Sequence, residues 1–148
     1  MADTALIAIV DDDQLVRRSL ERLLKSVCLR AEAFASAKDF LHSRHLHDTS
    51  CLILDVRLPG MDGLALQRDL AMTQIRLPII FITAHGDGKV REQARQAGAV
   101  AFLNKPFSEE ALFKSIRLAL GASQDGNEIV IAPLRRATLW RNVINCLF

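Results

Sequence analysis

The sequence predicts an α/β domain: a doubly wound, five-stranded parallel sheet with five helices packed on its two faces. Three observations carry this expectation. Four apolar runs, residues 5–10, 51–54, 79–82 and 100–103, are rich in β-branched or large aliphatic side chains and too short for helices. Near-continuous runs of this kind belong to strands buried on both faces, as in a parallel sheet. The stretches between them place apolar residues at helical spacing. Each run also leads into chemically capable residues: Asp11-Asp12-Asp13, Asp55, Thr83 and Lys105. In an open parallel sheet the ligand crevice lies outside the carboxyl ends of the strands. Carboxylates, a hydroxyl and an ammonium are therefore expected at one edge, a site for a divalent cation and a phosphoryl group.

The elements follow in order. Leu15, Val16, Leu20, Leu23, Leu24 and Val27 make one stripe of a first helix, opposite Arg17, Arg18, Glu21, Arg22 and Lys25. Residues 31–34 are the weakest strand, because Phe34 is their only large apolar residue. Ser36 with Asp39 three residues on resembles a capping box and opens a short second helix near residue 37. A third helix begins after Pro59-Gly60-Met61-Asp62-Gly63 and carries Leu64, Leu66 and Leu70. A fourth, over residues 89–97, has only Val90, Ala94 and Ala97 to bury and should be the most weakly held; Gly98 suits its C-terminal stop. Ser108 caps a fifth, with Glu109 and Glu110 in the first turn where the helix dipole favours them, and Leu112, Ile116 and Leu120 facing inward. Right-handed crossovers and one topological switch favour the strand order 2-1-3-4-5. Strands one and three are then neighbours, and Asp11, Asp12 and Asp55 come within reach of one ion.

A chain of 148 residues that is 50% hydrophobic has the apolar mass for one domain with a sizeable core. Its formal charge of +2 gives no strong field to recruit nucleic acid or membrane. Cys28, Cys51 and Cys146 show no metal-binding or redox spacing, which fits a reduced, cytoplasmic protein. No apolar stretch approaches the roughly 18 residues of a membrane span, and Asp3 precedes the first run, against a signal peptide. Residues 1–121 make the α/β domain. Residues 122–148 change character: a small, polar start, an apolar run broken by Pro133, then Arg135, Arg136 and Arg141 among Leu139, Trp140, Val143, Ile144, Leu147 and Phe148. A linker, a short extra helix and a truncated end all fit that composition.

A carboxylate that attacks phosphorus must overcome repulsion from the phosphoryl oxygens. Mg²⁺ removes most of that obstacle, and it takes one or two carboxylates together with water and phosphate oxygens. Asp11 and Asp12 supply an acidic shelf, and Asp55 suits both ligand and nucleophile. The plainer role for an acidic triplet is a solvated turn that caps the following helix, and it weighs most for Asp13. Clustered carboxylates repel one another without a cation, so removing either Asp11 or Asp12 is expected to stabilise the metal-free protein. Thr83 can donate its hydroxyl to a phosphoryl oxygen, although a β-branched residue finishing a strand needs no such role. The Lys105 ammonium would neutralise a phosphate oxygen, or pair with Asp55 in an empty site.

The segments Ile9-Val10-Asp11-Asp12-Asp13, Leu54-Asp55-Val56-Arg57-Leu58-Pro59-Gly60-Met61-Asp62-Gly63, Ile82-Thr83-Ala84-His85-Gly86-Asp87 and Phe102-Leu103-Asn104-Lys105-Pro106-Phe107 together resemble the receiver domain of two-component response regulators, in its FixJ-like branch. The resemblance spans roughly residues 5–120 and implies the same flavodoxin-like order of strands. It further implies that Asp55 is the phosphoacceptor for a sensor histidine kinase, catalysing only its own phosphorylation and dephosphorylation. Asp11, Asp12 and Asp55 would hold Mg²⁺ with the backbone carbonyl of Arg57. Thr83 and Lys105 would bind the phosphoryl group. Phe102 stands where the family has a switch aromatic that turns inward when Thr83 is drawn to the phosphate, a role compatible with a core aromatic. The resemblance also makes a cis Lys105–Pro106 bond credible, and it implies dimerisation through the face of helix four, strand five and helix five.

Members of this branch often carry a helix-turn-helix domain and regulate transcription. The 28 residues after residue 120 are too few for one, so DNA binding is not expected of this chain itself. Two other readings compete. Asp11-x-Asp13 resembles the opening motif of haloacid-dehalogenase phosphatases, but that reading leaves Asp55 unexplained and finds no late acidic pair. A receiver-like interaction module that takes no phosphate would have no need for the complete set of site residues.

Overall fold

The strands β1 (Leu6–Val10), β2 (Arg30–Phe34), β3 (Cys51–Asp55), β4 (Ile79–Thr83) and β5 (Ala101–Asn104) all pair in parallel, in the order β2-β1-β3-β4-β5. This arrangement comes from a computed structural model that describes residues 5–84 and 88–122. The helices are α1 (Gln14–Ser26), α2 (Ala37–Leu41), α3 (Gly63–Met72), α4 (Gly88–Gln96) and α5 (Glu109–Ala122), with a single 3₁₀ turn at Leu46–Asp48 before β3. His85, Gly86 and Asp87 of the third motif lie outside the described residues, as does the segment from residue 123 onward, so the expectations for the tail have no structural counterpart here.

The three central strands β1, β3 and β4 are buried along their whole length, as their unbroken apolar runs require. Successive side chains of a strand point to opposite faces, and each face has its own core. On one side Ile7, Ile9, Cys51, Ile53, Ile80 and Ile82 meet Leu20 and Leu24 of α1 and Leu112, Phe113 and Ile116 of α5. On the other, Ala8, Val10, Leu52, Leu54 and Phe81 meet Phe40 of α2, Leu66 and Leu70 of α3 and Ala94 of α4. Complete burial pushes the Cys51 thiol up to about 12, so it behaves as a small apolar residue. The outer strands β2 and β5 are only partly covered.

Local chemistry sets the helix ends. The Ser36 Oγ accepts the Asp39 N–H at 3.1 Å and opens α2; the Ser108 Oγ accepts the Ala111 N–H at 3.0 Å and opens α5. Asp62 caps α3 through the Ala65 N–H at 2.8 Å. Gly98, at φ +99°, takes the left-handed turn that stops α4. Two expected core residues differ: Ala97 is exposed, and so is Leu15, at 74%. Leu15 lies in the first turn of α1, at the sheet edge beyond the strand ends.

Unequal anchoring of the helices bears on function. A fully buried large aliphatic or aromatic side chain contributes about 1.5–3 kcal/mol. From α5, Leu112, Phe113, Ile116, Ala119 and Leu120 are all buried. From α4 only Ala94 is, while Val90 is half-buried and Ala97, just past the helix, is exposed. A polar contact supplements that single methyl: the buried Gln67 of α3 donates its Nε2 N–H to the Ala94 carbonyl oxygen at 3.2 Å. Among the described residues, no helix is long and apolar enough to cross a membrane.

Candidate functional site

The register of the sheet assembles the carboxyl edge. Val10 is paired with Leu54 and Asp55 with Ile82, so the residues that follow β1, close β3 and close β4 sit side by side. The acidic triplet then divides into three environments. Asp11 is fully buried; its Oδ1 accepts the Asp13 N–H at 2.8 Å and its Oδ2 accepts from Lys105 Nζ at 2.8 Å. Asp12 is exposed. Asp13 turns its Oδ1 to the Leu15 N–H at 2.9 Å and caps α1. The capping role weighed for Asp13 is therefore the one it has, and Asp11-x-Asp13 does not form the paired acids of a phosphatase. The Arg17 Nη1 donates to the Asp11 backbone carbonyl at 2.8 Å and fixes the turn from above.

Asp55 is 6% exposed. Its Oδ1 accepts the Arg57 N–H at 3.1 Å and its Oδ2 accepts from Lys105 Nζ at 3.2 Å. Burial pushes its carboxyl above the usual range, and the neighbouring Asp11 charge pushes it further; the Arg57 N–H and Lys105 pull it only part of the way back. Burial by itself would lower the Lys105 ammonium, but the hydrogen bond it donates to Asp11 and the two carboxylate charges outweigh it and hold Lys105 above its ordinary value. Lys105 bridges Asp11 and Asp55, where pairing with Asp55 alone was expected. Its placement comes from β4: the Lys105 N–H donates to the Thr83 carbonyl at 2.7 Å, and the Lys105–Pro106 bond that follows is cis.

Asp11, Asp12 and Asp55 each offer one carboxylate oxygen, and the three oxygens lie within 4.8 Å of one another. Hard oxygen donors at this spacing, two of them on adjacent strand ends, suit Mg²⁺. Thr83 is buried at the tip of β4, one residue beyond the partner of Asp55. Phe102, on β5, is half-buried; its ring centroid lies 6.1 Å from that of Phe81, with the Arg91 guanidinium 5.8 Å above its outer side. The structure thus brings together Asp11, Asp12, Asp55, Thr83 and Lys105 and leaves Phe102 on the flanking strand.

Two residues of this site had been assigned other roles. Arg17 reads as part of a solvated helix face, yet it reaches the Asp11 carbonyl. Gly63 reads as the last residue of the turn before the third helix, but it is the first residue of α3 and its place is fixed by crowding against the Asp55 backbone. A Cβ there would stand 2.5 Å from the Asp55 carbonyl oxygen and 3.0 Å from the Val56 Cα. The Gly63 N–H also donates to the Val56 carbonyl at 2.9 Å. The available signal was the second glycine of Pro59-Gly60-Met61-Asp62-Gly63, one more than a single turn needs.

A five-stranded doubly wound sheet with carboxylates and a lysine converging at its carboxyl edge defines a class of phosphoryl-handling α/β domains. Residues 7–117 match the response regulator receiver domain, and the chain belongs to that family. It is 48% identical over 112 residues to nodulation protein W of Bradyrhizobium diazoefficiens, an alignment covering 76% of this chain and 49% of that protein. It is 36% identical over 125 residues to transcriptional regulatory protein FixJ of Azorhizobium caulinodans, covering 84% of this chain and 59% of that one. The chain spans about half the length of the curated relatives it matches. The crystal structure of FixJ-N superposes with a TM-score of 0.72 at 36% identity, over 81% of this chain and 95% of that one. A receiver protein from Burkholderia phymatum gives 0.70 at 40% identity, over 80% and 96%.

Proposed function

We propose that Asp55 accepts a phosphoryl group from the phosphohistidine of a sensor histidine kinase, and that this chain promotes only that transfer and the later hydrolysis. A P–N bond breaks as a P–O bond forms to an Asp55 carboxylate oxygen, and the departing imidazole keeps the electron pair and takes a proton. Asp11, Asp12, Asp55 and the backbone carbonyl of Arg57 would hold Mg²⁺, which when bound screens the phosphoryl oxygens from the attacking carboxylate. The Asp55 oxygen that now accepts from Lys105 is released as the ammonium turns to a phosphoryl oxygen, keeping Asp11 as its second partner. The Thr83 hydroxyl donates to another phosphoryl oxygen, and Phe102 moves inward behind it. The observation that carries this reading is the fork of Lys105 between Asp11 and Asp55, with three carboxylates around one point.

Residues 1–121 act as the phosphoacceptor unit and residues 122–148 as a linker or tail. The thin anchoring of α4 makes the face of α4, β5 and α5 the element to repack, and self-association through it the output. By the relation to transcriptional regulatory protein FixJ, transcription is the process regulated, in the cytoplasm. Incubation with acetyl phosphate and Mg²⁺ followed by intact-mass analysis tests the reading. One added phosphate is expected on the wild type and none on Asp55→Asn or on wild type in chelator; equal phosphorylation of Asp55→Asn would overturn it.

A further inference from the structure

Gly63 and Gln67 stand one helical turn apart on the same face of α3. Gly63 is seated directly against the Asp55 backbone, with no space for a side chain between them. Gln67 is buried and reaches across to the Ala94 carbonyl of α4. That oxygen already accepts the Ala99 N–H at 2.9 Å, in the turn that Gly98 closes. The last turn of α4 is therefore doubly held, and α3 ties it to the strand that bears Asp55. Toward its other end α4 buries no large side chain: Val90 is half-buried, and Lys89, Arg91, Glu92 and Gln93 are exposed.

We propose that Gln67 is a positioning residue that pins the C-terminal turn of α4, so that α4 answers the phosphoryl group by pivoting about Ala94 instead of shifting as a body. The inference rests on Asp55 being the phosphoacceptor and adds to it where the movement stops. A polar side chain suits that place because the C-terminal half of α4 offers the core one buried methyl, Ala94, and the carbonyl oxygen of the same residue. The amide of Gln67 donates to that carbonyl without disturbing the helix turn, whereas an apolar residue at position 67 would pack against α3 and leave α4 free to slide.

Backbone amide shifts and hydrogen exchange of the full chain, with and without beryllofluoride and Mg²⁺, test the pivot. In wild type the beryllofluoride-induced changes should occupy residues 88–93 and stop before residues 97–99. In Gln67→Met they should run through Ala99, and exchange of the Gly98 and Ala99 amides in the free protein should quicken about fivefold, the loss of one hydrogen bond. Gln67→Met strands no acceptor, because the Ala99 N–H still reaches the Ala94 oxygen. Ile7→Val, on the opposite core, weakens the fold without touching α4 and should keep the wild-type pattern. Wild-type changes along all of α4, a wild-type pattern in Gln67→Met, or the same spread in Ile7→Val would each overturn the pin. A wild type that binds no beryllofluoride would instead overturn the phosphoacceptor reading beneath it.

Discussion

Lys105 Nζ lies nearer to Asp11 Oδ2, at 2.8 Å, than to Asp55 Oδ2, at 3.2 Å. Asp11 is the fully buried member of the acidic group, so the lysine compensates the charge that water cannot reach. Its contact with Asp55, whose side chain is not fully buried, is the longer of the two.

Lys105→Ala should therefore destabilise the metal-free protein. Removing one partner of a buried ion pair is costly, and the partial exposure of the lysine reduces that to about 1–3 kcal/mol. Urea unfolding at neutral pH in chelator measures it, and Mg²⁺ should recover part of the loss by supplying the missing positive charge. Unfolding midpoints identical to wild type would show that Asp11 does not depend on Lys105.

The pH response of Asp55 follows from the sign of its shift. A carboxyl raised in the folded state contributes stability that is full below its unfolded pKa, near 3.9, and lost as pH rises through the raised folded value. Above that raised value the ionised Asp55 is a net burden on folding. Asp55→Asn should melt on the order of a few degrees above wild type at pH 7 in chelator, and the gap should close as the pH falls below the raised value. A gap that widens on acidification would reverse the assignment.

Asp11 and Asp12 should respond in opposite directions, contrary to the expectation from charge clustering alone. Asp12→Ala removes an exposed charge that repels its neighbours, so the melting temperature in chelator should hold or rise while Mg²⁺ affinity falls at least about tenfold. Asp11→Ala removes the acceptor for Lys105 and for the Asp13 N–H, and should lower stability by about 1–3 kcal/mol. Calorimetric melting and Mg²⁺ titration of the two variants separate the cases.

Gly63→Ala should destabilise by about 1–3 kcal/mol, because a Cβ 2.5 Å from the Asp55 carbonyl oxygen forces α3 or the strand end to move. The same displacement should slow phosphorylation by acetyl phosphate. A variant with unchanged stability and rate would mean that α3 is not seated on Asp55.

The legible parts of the molecule were those where local pattern and global position coincide. β1, β3 and β4 announce themselves because strands buried on both faces leave no room for polar residues, and Asp55 and Lys105 because they end such runs. The three adjacent aspartates gave a local sign only for the Asp13 cap: that Asp11 is buried and Asp12 exposed depends on how the chain turns into α1, and on Arg17. Nothing local marks Gln67, since its burial is created by α4, 27 positions further along the chain. Leu15 failed in the other direction, because periodicity cannot tell where a helix overhangs the sheet beneath it.

The sparse anchoring of α4 also bears on how such domains diverge. Substitutions at exposed positions away from structural features usually change stability by no more than about 0.5 kcal/mol, and seven of the nine residues of α4 are exposed. Glu92, Gln93, Arg95 and Gln96 can therefore be exchanged almost independently of the sheet and of the acidic edge, whereas Arg91 lies over the Phe102 ring of β5. Duplicated genes can rewrite this one surface while the acidic edge at Asp11 and Asp55 is inherited unchanged.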